Sequence, residues 1–332
     1  MSLRSLARVD TLLRLLADGK FHSGQSIAIE LGVSRTAIWK MIQKIQSWQL
    51  EVYSVRGRGY QIPGGLKLID EATLAARVRQ NNRLFRQVKV LTSIDSTADY
   101  LARDWKQSPG EGRVCIAEHQ TKGRGRKGRP WVSPFARNLY FSIGVQLPLG
   151  LSALGGVSLA VGICLCRLLN RVSHQKISIK WPNDLLLGGR KLAGILVEAS
   201  GDSNDSSFLN IGVGLNWNMP EPLGSEIDQP WCNLSKVLSP QISRNQVLAD
   251  MLLALDQSLR NYLDSGLDSF ISDWPDLSAC FEQRVTIFRA NQQFEGVETG
   301  IDSSGALRLK TGRGTELILS GEVSLRRVEH NP

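Results

Sequence analysis

Residues Gly123 to Trp131, reading GRGRKGRPW, hold three arginines, one lysine and three glycines in nine positions. Core packing does not call for an alternation of Gly and Arg. Glycine lets backbone N–H groups approach a ligand closely, and each arginine presents a planar fork matched to carboxylate or phosphate oxygens. The segment has the composition of a loop that closes over a small anion, and such a Gly/Arg-rich loop is expected to order on its ligand. Two further strings follow, Lys180-Trp181-Pro182-Asn183-Asp184 and then KLAGILVE from Lys191 to Glu198. Lys191 heads an apolar run and Arg126 sits among glycines. These two are the hardest to explain by packing alone.

The bland readings differ by residue. The basic loop alone could be a solvated charge run. Ser96 after Asp95 suits a helix N-cap, Trp181 suits a core, and Pro182-Asn183-Asp184 has turn chemistry. Gly123, Gly125 and Gly128 also match the spacing of a dinucleotide-binding loop. That site needs a helix directly after the glycines, and Pro130 and Pro134 leave no room for one.

The chain has 332 residues, enough for two or three domains, with 42% hydrophobic and 21% charged residues, as in globular proteins. Five cysteines without a C-x-x-C pair and four scattered histidines suggest neither a disulfide framework nor a zinc site. No run approaches transmembrane length in this reading, so no membrane is expected and a cytoplasmic location is. The net charge of +9 is uneven. Residues 1–62 carry nine Lys/Arg (Arg4, Arg8, Arg14, Lys20, Arg35, Lys40, Lys44, Arg56, Arg58) against four acids (Asp10, Asp18, Glu30, Glu51). Such a surplus points to a polyanionic partner.

The first 63 residues have the layout of a winged helix-turn-helix. Leu6, Val9, Leu12, Leu13 and Leu16 mark one helical face closed by Gly19, and a second helix runs from Ser23 to Leu31. Gly32 supplies the turn, Val33 faces inward, and Ser34 caps a third helix through about Trp48. On it Ile38, Ile42 and Ile45 face inward, leaving Arg35, Thr36, Trp39, Lys40 and Gln43 outward. Two short strands, Glu51–Val55 and Tyr60–Ile62, flank Arg56-Gly57-Arg58-Gly59 as a basic wing. Ser34, Arg35, Thr36, Trp39, Lys40, Arg56 and Arg58 are the candidate DNA contacts. Pro63-Gly64-Gly65 reads as a linker.

Residues 68–275 alternate strand-like and helical runs, predicting a mixed-sheet α/β domain. Helices are expected at Leu74–Val78, Thr97–Trp105, Gly155–Val172 and along the Leu248–Leu263 stripe. Strands are expected at Val88–Leu91, Val114–Ala117, Leu139–Val145, Ile177–Lys180, Leu192–Glu198 and Phe208–Gly214. Residues 280–329 read as hairpins (Arg284–Arg289, Gln293–Thr299, Ala306–Lys310, Glu316–Arg326) of a small C-terminal β-barrel. The whole is an α+β multidomain chain.

In this order the winged helix, Asp95-Ser96-Thr97, Glu118-His119-Gln120, GRGRKGRPW, KWPND and KLAGILVE resemble the bifunctional biotin–protein ligases that also serve as biotin operon repressors. The resemblance spans essentially the whole chain. It implies an ATP-dependent enzyme that makes biotinyl-5'-AMP and passes the biotinyl group to a lysine of the biotin carboxyl-carrier domain of acetyl-CoA carboxylase. Loaded with the adenylate, such a protein homodimerises on operator DNA. Both reacting groups are anionic, so cations in a water-excluding site lower the barrier.

The resemblance assigns biotin to Ser96, Thr97, Ala98, Gln120, Arg124, Gly125, Arg126 and Lys191, the ureido group suiting hydroxyl and amide partners. It assigns ATP and adenylate to Arg129, Trp131, Lys180, Asn216 and Trp231, and catalysis to Arg126, Lys191, Asn183 and Asp184. Asp184 is also the candidate ligand for Mg²⁺. Ala98 departs from the Asn or Gln usual in the family after Ser-Thr, so only backbone contact remains there. The rival readings are a ligase whose DNA-binding domain lacks an operator and a ligand-sensing repressor without catalysis.

Overall fold

The computed structural model describes residues 3–201, 205–289, 292–319 and 323–327; the Leu6 side chain and residues 328–329 lie outside the described residues. Helix α1 (Leu3–Leu16) buries Val9, Leu12, Leu13 and Leu16 completely. Helix α2 (Gly24–Leu31) is capped by Ser23, whose hydroxyl accepts from the Ser26 N–H at 3.0 Å, and ends at Gly32 with φ 59°. Helix α3 (Arg35–Gln46) begins at Ser34, whose hydroxyl accepts from the Ala37 N–H at 3.2 Å. Strands β1 (Tyr53–Val55) and β2 (Gly59–Gln61) form the wing. Gly59 is required there, since with φ 102° a Cβ would sit 2.0 Å from the His22 carbonyl oxygen.

The expected linker is fastened rather than loose. Leu66 N–H donates to Ala17 O at 2.9 Å, and a Cβ on Gly65 would lie 2.4 Å from the same oxygen. Beyond it, the Ile69 N–H donates to the Glu118 carboxylate. Arg244, itself 4% exposed, donates to that carboxylate at 2.7 Å and to the Lys67 carbonyl at 2.8 Å.

The central unit runs α4 (Glu71–Asn81), β3 (Phe85–Leu91), α5 (Thr97–Gln107), β4 (Gly112–Ala117), β5 (Leu139–Leu147), α6 (Val157–Val172), β6 (Ile177–Lys180), β7 (Asp184–Leu187), β8 (Arg190–Gly201), β9 (Ser207–Leu215) and α7 (Arg244–Ser265). Its seven strands pair in the order β3-β4-β5-β9-β8-β7-β6. Only β3 and β4 are parallel, so the sheet is mixed as expected. Helices α6 and α7 pack on one another, and α6 lies against β6, β7 and β8. Strand β7 was not expected, and it forms directly after the cis Trp181–Pro182 bond.

The segment Leu151–Val172 corrects one expectation, because it holds an 18-residue window of mean hydropathy 1.8 and is by length and composition apolar enough to cross a membrane. Its apolar residues instead belong to the core: Val157, Val161, Ile163, Leu165 and Leu169 are all fully buried.

The C-terminal strands β10 (Arg284–Arg289), β11 (Gln292–Ile301), β12 (Leu307–Thr311), β13 (Gly314–Ile318) and β14 (Val323–Arg327) form a five-stranded antiparallel sheet in the order β13-β12-β11-β10-β14. The single run expected over Glu316–Arg326 is two strands. Val285, Ile287, Ile301, Leu307 and Leu309 join one continuous core with the central unit. The N-terminal domain has its own core, which Phe135 of the central unit enters, with Ala136 packed against it.

Candidate active site and nucleic-acid interface

One cleft of about 1330 Å³ is lined by every candidate biotin, ATP and catalytic residue of the central unit. Its first end is built by the start of α5. Ser96 caps that helix, its hydroxyl accepting from the Asp99 N–H at 3.3 Å, so the capping role is realised at a residue that also lines the cleft. Thr97 Oγ1 hydrogen-bonds Ser142 Oγ at 2.8 Å, and Gln120 Oε1 accepts from the Thr97 N–H at 2.9 Å. Gln120 Nε2 donates to Ser133 Oγ at 3.1 Å, and Ser133 Oγ donates to Trp131 O at 2.9 Å. The hydroxyl and amide end of the cleft is thus wired to the base of the arginine loop. The Ala98 carbonyl accepts from Asn210 Nδ2 at 2.8 Å, so its backbone oxygen is engaged with the sheet.

The loop itself is a hairpin. Trp131 N–H donates to Gly123 O and Gly125 N–H to Arg129 O, both at 2.8 Å, and Arg126–Gly128 form a single 3-10 turn at the tip. A Cβ on Gly123 would meet Ser133 Oγ, Gln120 Nε2 and Trp131 O within 2.8 Å, so glycine is dictated by the crossing of the two arms. Arg124 lines the cleft, and its guanidinium is ion-paired with Asp99 and Glu198. Arg126 is half-buried, donates to Asn183 Oδ1 at 3.3 Å, and has its pKa lowered chiefly by burial while Asp184 opposes the shift. Arg129 is exposed at the mouth.

Across the cleft, Lys191 is the second residue of β8. Its ammonium lies 3.0 Å from Asp184 Oδ2, the two side chains being 17% and 19% exposed, and 5.5 Å from the Trp131 ring centroid. Asn183 is held by its own donation to Ile195 O at 2.7 Å. Trp131 rests on a glycine floor: a Cβ at Gly214 would be 2.4 Å from its ring, and one at Gly194 3.0 Å. Its Nε1 is buried with no hydrogen-bond partner among the described residues. Asn216 Nδ2 donates to Lys191 O at 3.3 Å, and Trp231 pairs with Lys191 through a backbone bridge while packing on Gly224. Lys180, Ser178 and Lys176 line the far end with Ser278 and Gln283. Trp181, by contrast, is 1% exposed and donates its Nε1–H to Gly305 O at 3.0 Å, a core residue tying β6 to the C-terminal sheet.

Sequence reasoning missed Asp99, Glu198, Ser133 and Ser142. Asp99 passes as an ordinary first-turn acid favoured by the helix dipole, and nothing local marks the others.

On the N-terminal domain, Ile38, Ile42 and Ile45 are buried as expected, together with Met41 and Trp48. Arg35, Thr36 and Lys40 are exposed, and Trp39 is 54% exposed, which no packing requirement explains. Ser34 is spent as the α3 cap. Arg56 and Arg58 stand exposed on the wing, with Arg58 stacked over Phe21 at 4.1 Å. A basic helix face beside a basic wing suits a DNA groove and its flanking phosphates.

The sequence pattern of the Biotin/lipoate A/B protein ligase family matches residues 90–216, that of an HTH domain residues 8–61, and that of the Biotin protein ligase C terminal domain residues 281–326. The chain is 38% identical over 319 residues to the Bifunctional ligase/repressor BirA of Salmonella typhimurium, covering 96% of this chain and 98% of that one. It is 30% identical over 329 residues to the protein of that name from Bacillus subtilis, covering 97% and 100%. Among solved structures, the biotin protein ligase from Aquifex aeolicus in complex with biotin and ATP superposes with a TM-score of 0.62 at 29% identity, covering 74% of this chain and 100% of that one. The chain therefore belongs to the biotin/lipoate A/B protein ligase family, in the three-part form of the bifunctional ligase/repressors.

Proposed function

We propose that the chain couples biotin and ATP to biotinyl-5'-AMP with release of pyrophosphate and transfers the biotinyl group to a lysine of a biotin carboxyl-carrier domain. Carrying the adenylate, it represses transcription from an operator bound by the N-terminal domain. The observation that carries the ligase reading is that two partly buried cations, Lys191 on Asp184 and Arg126 on Asn183, line a single cleft. Little but an anionic reaction would use two cations so placed. The relative from Mycobacterium tuberculosis, 32% identical over 262 residues, bears the name biotin–[acetyl-CoA-carboxylase] ligase, which supports that carboxylase as the source of the acceptor.

In the first step a biotin carboxylate oxygen attacks the α-phosphorus of ATP and the bond to the bridging oxygen of pyrophosphate breaks. Lys191 bridges the carboxylate and the α-phosphate, and Arg126 takes the phosphate from the loop side, both reducing repulsion between the two anions. The hydroxyl and amide groups of Ser96, Thr97 and Gln120, with Ala98 beside them, hold the ureido end. Arg129, Lys180 and Asn216 serve the phosphates and ribose, and Trp131 and Trp231 wall the adenine. In the second step the acceptor amine attacks the acyl carbon and AMP departs, with Asp184 placed to accept the amine proton.

Mg²⁺ is bound through one or two carboxylates with substrate phosphates supplying the rest. Asp184 would provide the ion one such carboxylate in the cleft, through the oxygen that Lys191 leaves free. When bound, it neutralises charge on the triphosphate.

Incubation with biotin, ATP and a carrier domain, read by intact mass, tests the enzyme. A carrier whose mass stays unchanged would sink the ligase reading. Footprinting upstream of biotin genes separates the repressor from a ligase with an idle DNA-binding domain. The exposed Trp39, Arg35 and Lys40 favour the former. The five cysteines, all free, agree with a reducing compartment.

A further inference from the structure

Arg124 makes four charge-assisted hydrogen bonds to two carboxylates from different elements. Its Nε and Nη2 donate to Asp99 Oδ1 at 3.0 and 2.7 Å. Its Nη1 and Nη2 donate to Glu198 Oε1 and Oε2 at 2.6 and 2.8 Å, a two-pronged contact. All three guanidinium nitrogens are used, and the two carboxylates, Glu198 first, raise the Arg124 pKa above its ordinary value. Asp99 lies in the first turn of α5, directly after Ala98, and Glu198 lies on β8, the strand that carries Lys191. The trio carries one more negative than positive charge beside the seat of an anionic ligand, so it is poorly suited to binding that ligand itself.

It is well suited to holding the loop. Arg124 is on one arm of the hairpin and pairs by a backbone bridge with Pro130 on the other. Its side chain pins both arms, and with them the tip that carries Arg126. The tip buries no residue, so no core contact keeps it down.

Resting on the ligase reading above, we propose that Asp99 and Glu198 are positioning residues: with Arg124 they form a latch that holds the arginine loop closed through contacts between protein groups. The latch keeps Arg126 in place and sets how long the acyl-adenylate is retained before an acceptor lysine arrives. The three side chains are 29%, 35% and 40% exposed for Arg124, Asp99 and Glu198. Ion pairs exposed to this degree add little to global stability. They can nonetheless govern the opening of a short loop whose tip buries no residue and reaches the far wall through the Arg126–Asn183 hydrogen bond at 3.3 Å. The alternative is that Arg124 leaves the carboxylates to bind the ligand, and the two ideas give opposite signs. Neutralising the carboxylates weakens a latch, whereas it frees an arginine for the ligand.

The experiment uses the full-length protein with D99N, E198Q and D99N/E198Q, all isosteric, and R124K, which keeps the charge but cannot fork to both partners. Trypsin cleavage after Lys122, Arg126 and Lys127 is timed without substrates. Escape of preformed biotinyl-adenylate is timed with a trap, and KM for biotin is measured beside kcat for pyrophosphate exchange. Melting midpoints near the parent's exclude general loosening. The latch predicts at least tenfold faster cleavage and tenfold faster escape in the double variant, with R124K following it and KM for biotin not falling. Cleavage and escape within twofold of the parent overturn the proposal. So do slower escape and a lower KM, which would place Arg124 on the ligand. If the parent protein makes no adenylate, the ligase reading fails, and the cleavage arm alone decides the latch.

Discussion

Phe135 of the central unit lies flat on Trp48 at the end of the recognition helix, with ring centroids 5.2 Å apart and planes 3° from parallel. Phe135 is 1% exposed and belongs to the hydrophobic core of the N-terminal domain, although only three residues separate it from Trp131 at the base of the arginine loop. A short segment therefore runs from the base of the arginine loop to a contact with Trp48, just after helix α3. His119 lies against the same indole at 5.8 Å, and its neighbour Gln120 is bonded to Thr97 in the cleft.

Phe135→Ala should loosen the two units from each other. Removing a buried phenyl ring costs about 3–5 kcal/mol, here concentrated at a contact between units. Hydrogen exchange should rise in residues 41–52 well before it rises in the central sheet. Operator binding should lose its dependence on biotin plus ATP while carrier modification persists. Unchanged exchange around Trp48 would show that the stack is incidental.

His119 ties this contact to pH. Burial, aided by Lys44, pushes its pKa down to about 4 from 6.5, so the folded protein holds it neutral. Between those values the unfolded chain binds more protons than the folded one, so stability rises with pH through the window. The contribution is full above about pH 6.5 and is lost as pH falls toward 4. His119→Gln, which keeps a partner for Ser93 Oγ, should flatten the dependence of the melting midpoint between pH 4 and 6.5. An equally steep profile in the variant would exclude His119 as its source.

Lys191→Ala should cost about 100-fold in pyrophosphate exchange, the scale of removing one oriented charge from a reacting oxyanion. It also strips Asp184 of its partner at 3.0 Å, so some loss of melting temperature should accompany it. Lys191→Ala/Asp184→Asn should recover that stability without recovering exchange. A double variant that exchanged normally would remove Lys191 from the chemistry.

Much of this site was legible because its chemistry runs against packing. Arg126 among glycines and Lys191 at the head of an apolar strand have no core explanation, and both line the cleft. The carboxylates that occupy Arg124 were not legible. Asp99 is locally sufficient as a helix first-turn acid, Glu198 as a strand end, and their meeting is set only by the sheet. Phe135 between Pro134 and a strand reads as loop, since nothing local shows that it inserts into a core built by residues 9–62. Strand β7 was hidden because Asp184–Leu187 is short and sits between a proline turn and Gly188-Gly189. The basic wing and capped helix were readable because caps and turn glycines are local devices.

Arg126→Gly separates phosphate holding from loop closure. The variant keeps Arg124 on its two carboxylates, so resistance of Lys122 to trypsin should stay near that of the parent. A lost charge-assisted hydrogen bond of about 2 kcal/mol should let the adenylate escape roughly 30-fold faster and acylate lysines of bystander proteins. Selective modification of the carrier alone would show that Arg126 does not hold the intermediate.

Operator binding should respond to both charge and ligand. One winged helix supplies mostly non-specific, salt-dependent affinity, and specific sites generally pair two half-sites with a dimer. If adenylate binding favours a homodimer, ligand and DNA affinities must rise together by the same factor. Loaded protein should then bind an inverted repeat far more tightly than unloaded protein, with random DNA little affected. Arg35→Ala and Lys40→Ala should each lower the dependence of log K on log salt by about one unit if the side chain meets a phosphate. Trp39→Ala should leave that slope alone but weaken discrimination between operator and random DNA, because its exposed ring carries no charge. Gel shifts at several salt concentrations, with and without biotin plus ATP, measure all three. Equal operator affinity in the two ligand states would remove the corepressor role and leave a ligase whose N-terminal domain binds DNA without being told what the cleft contains.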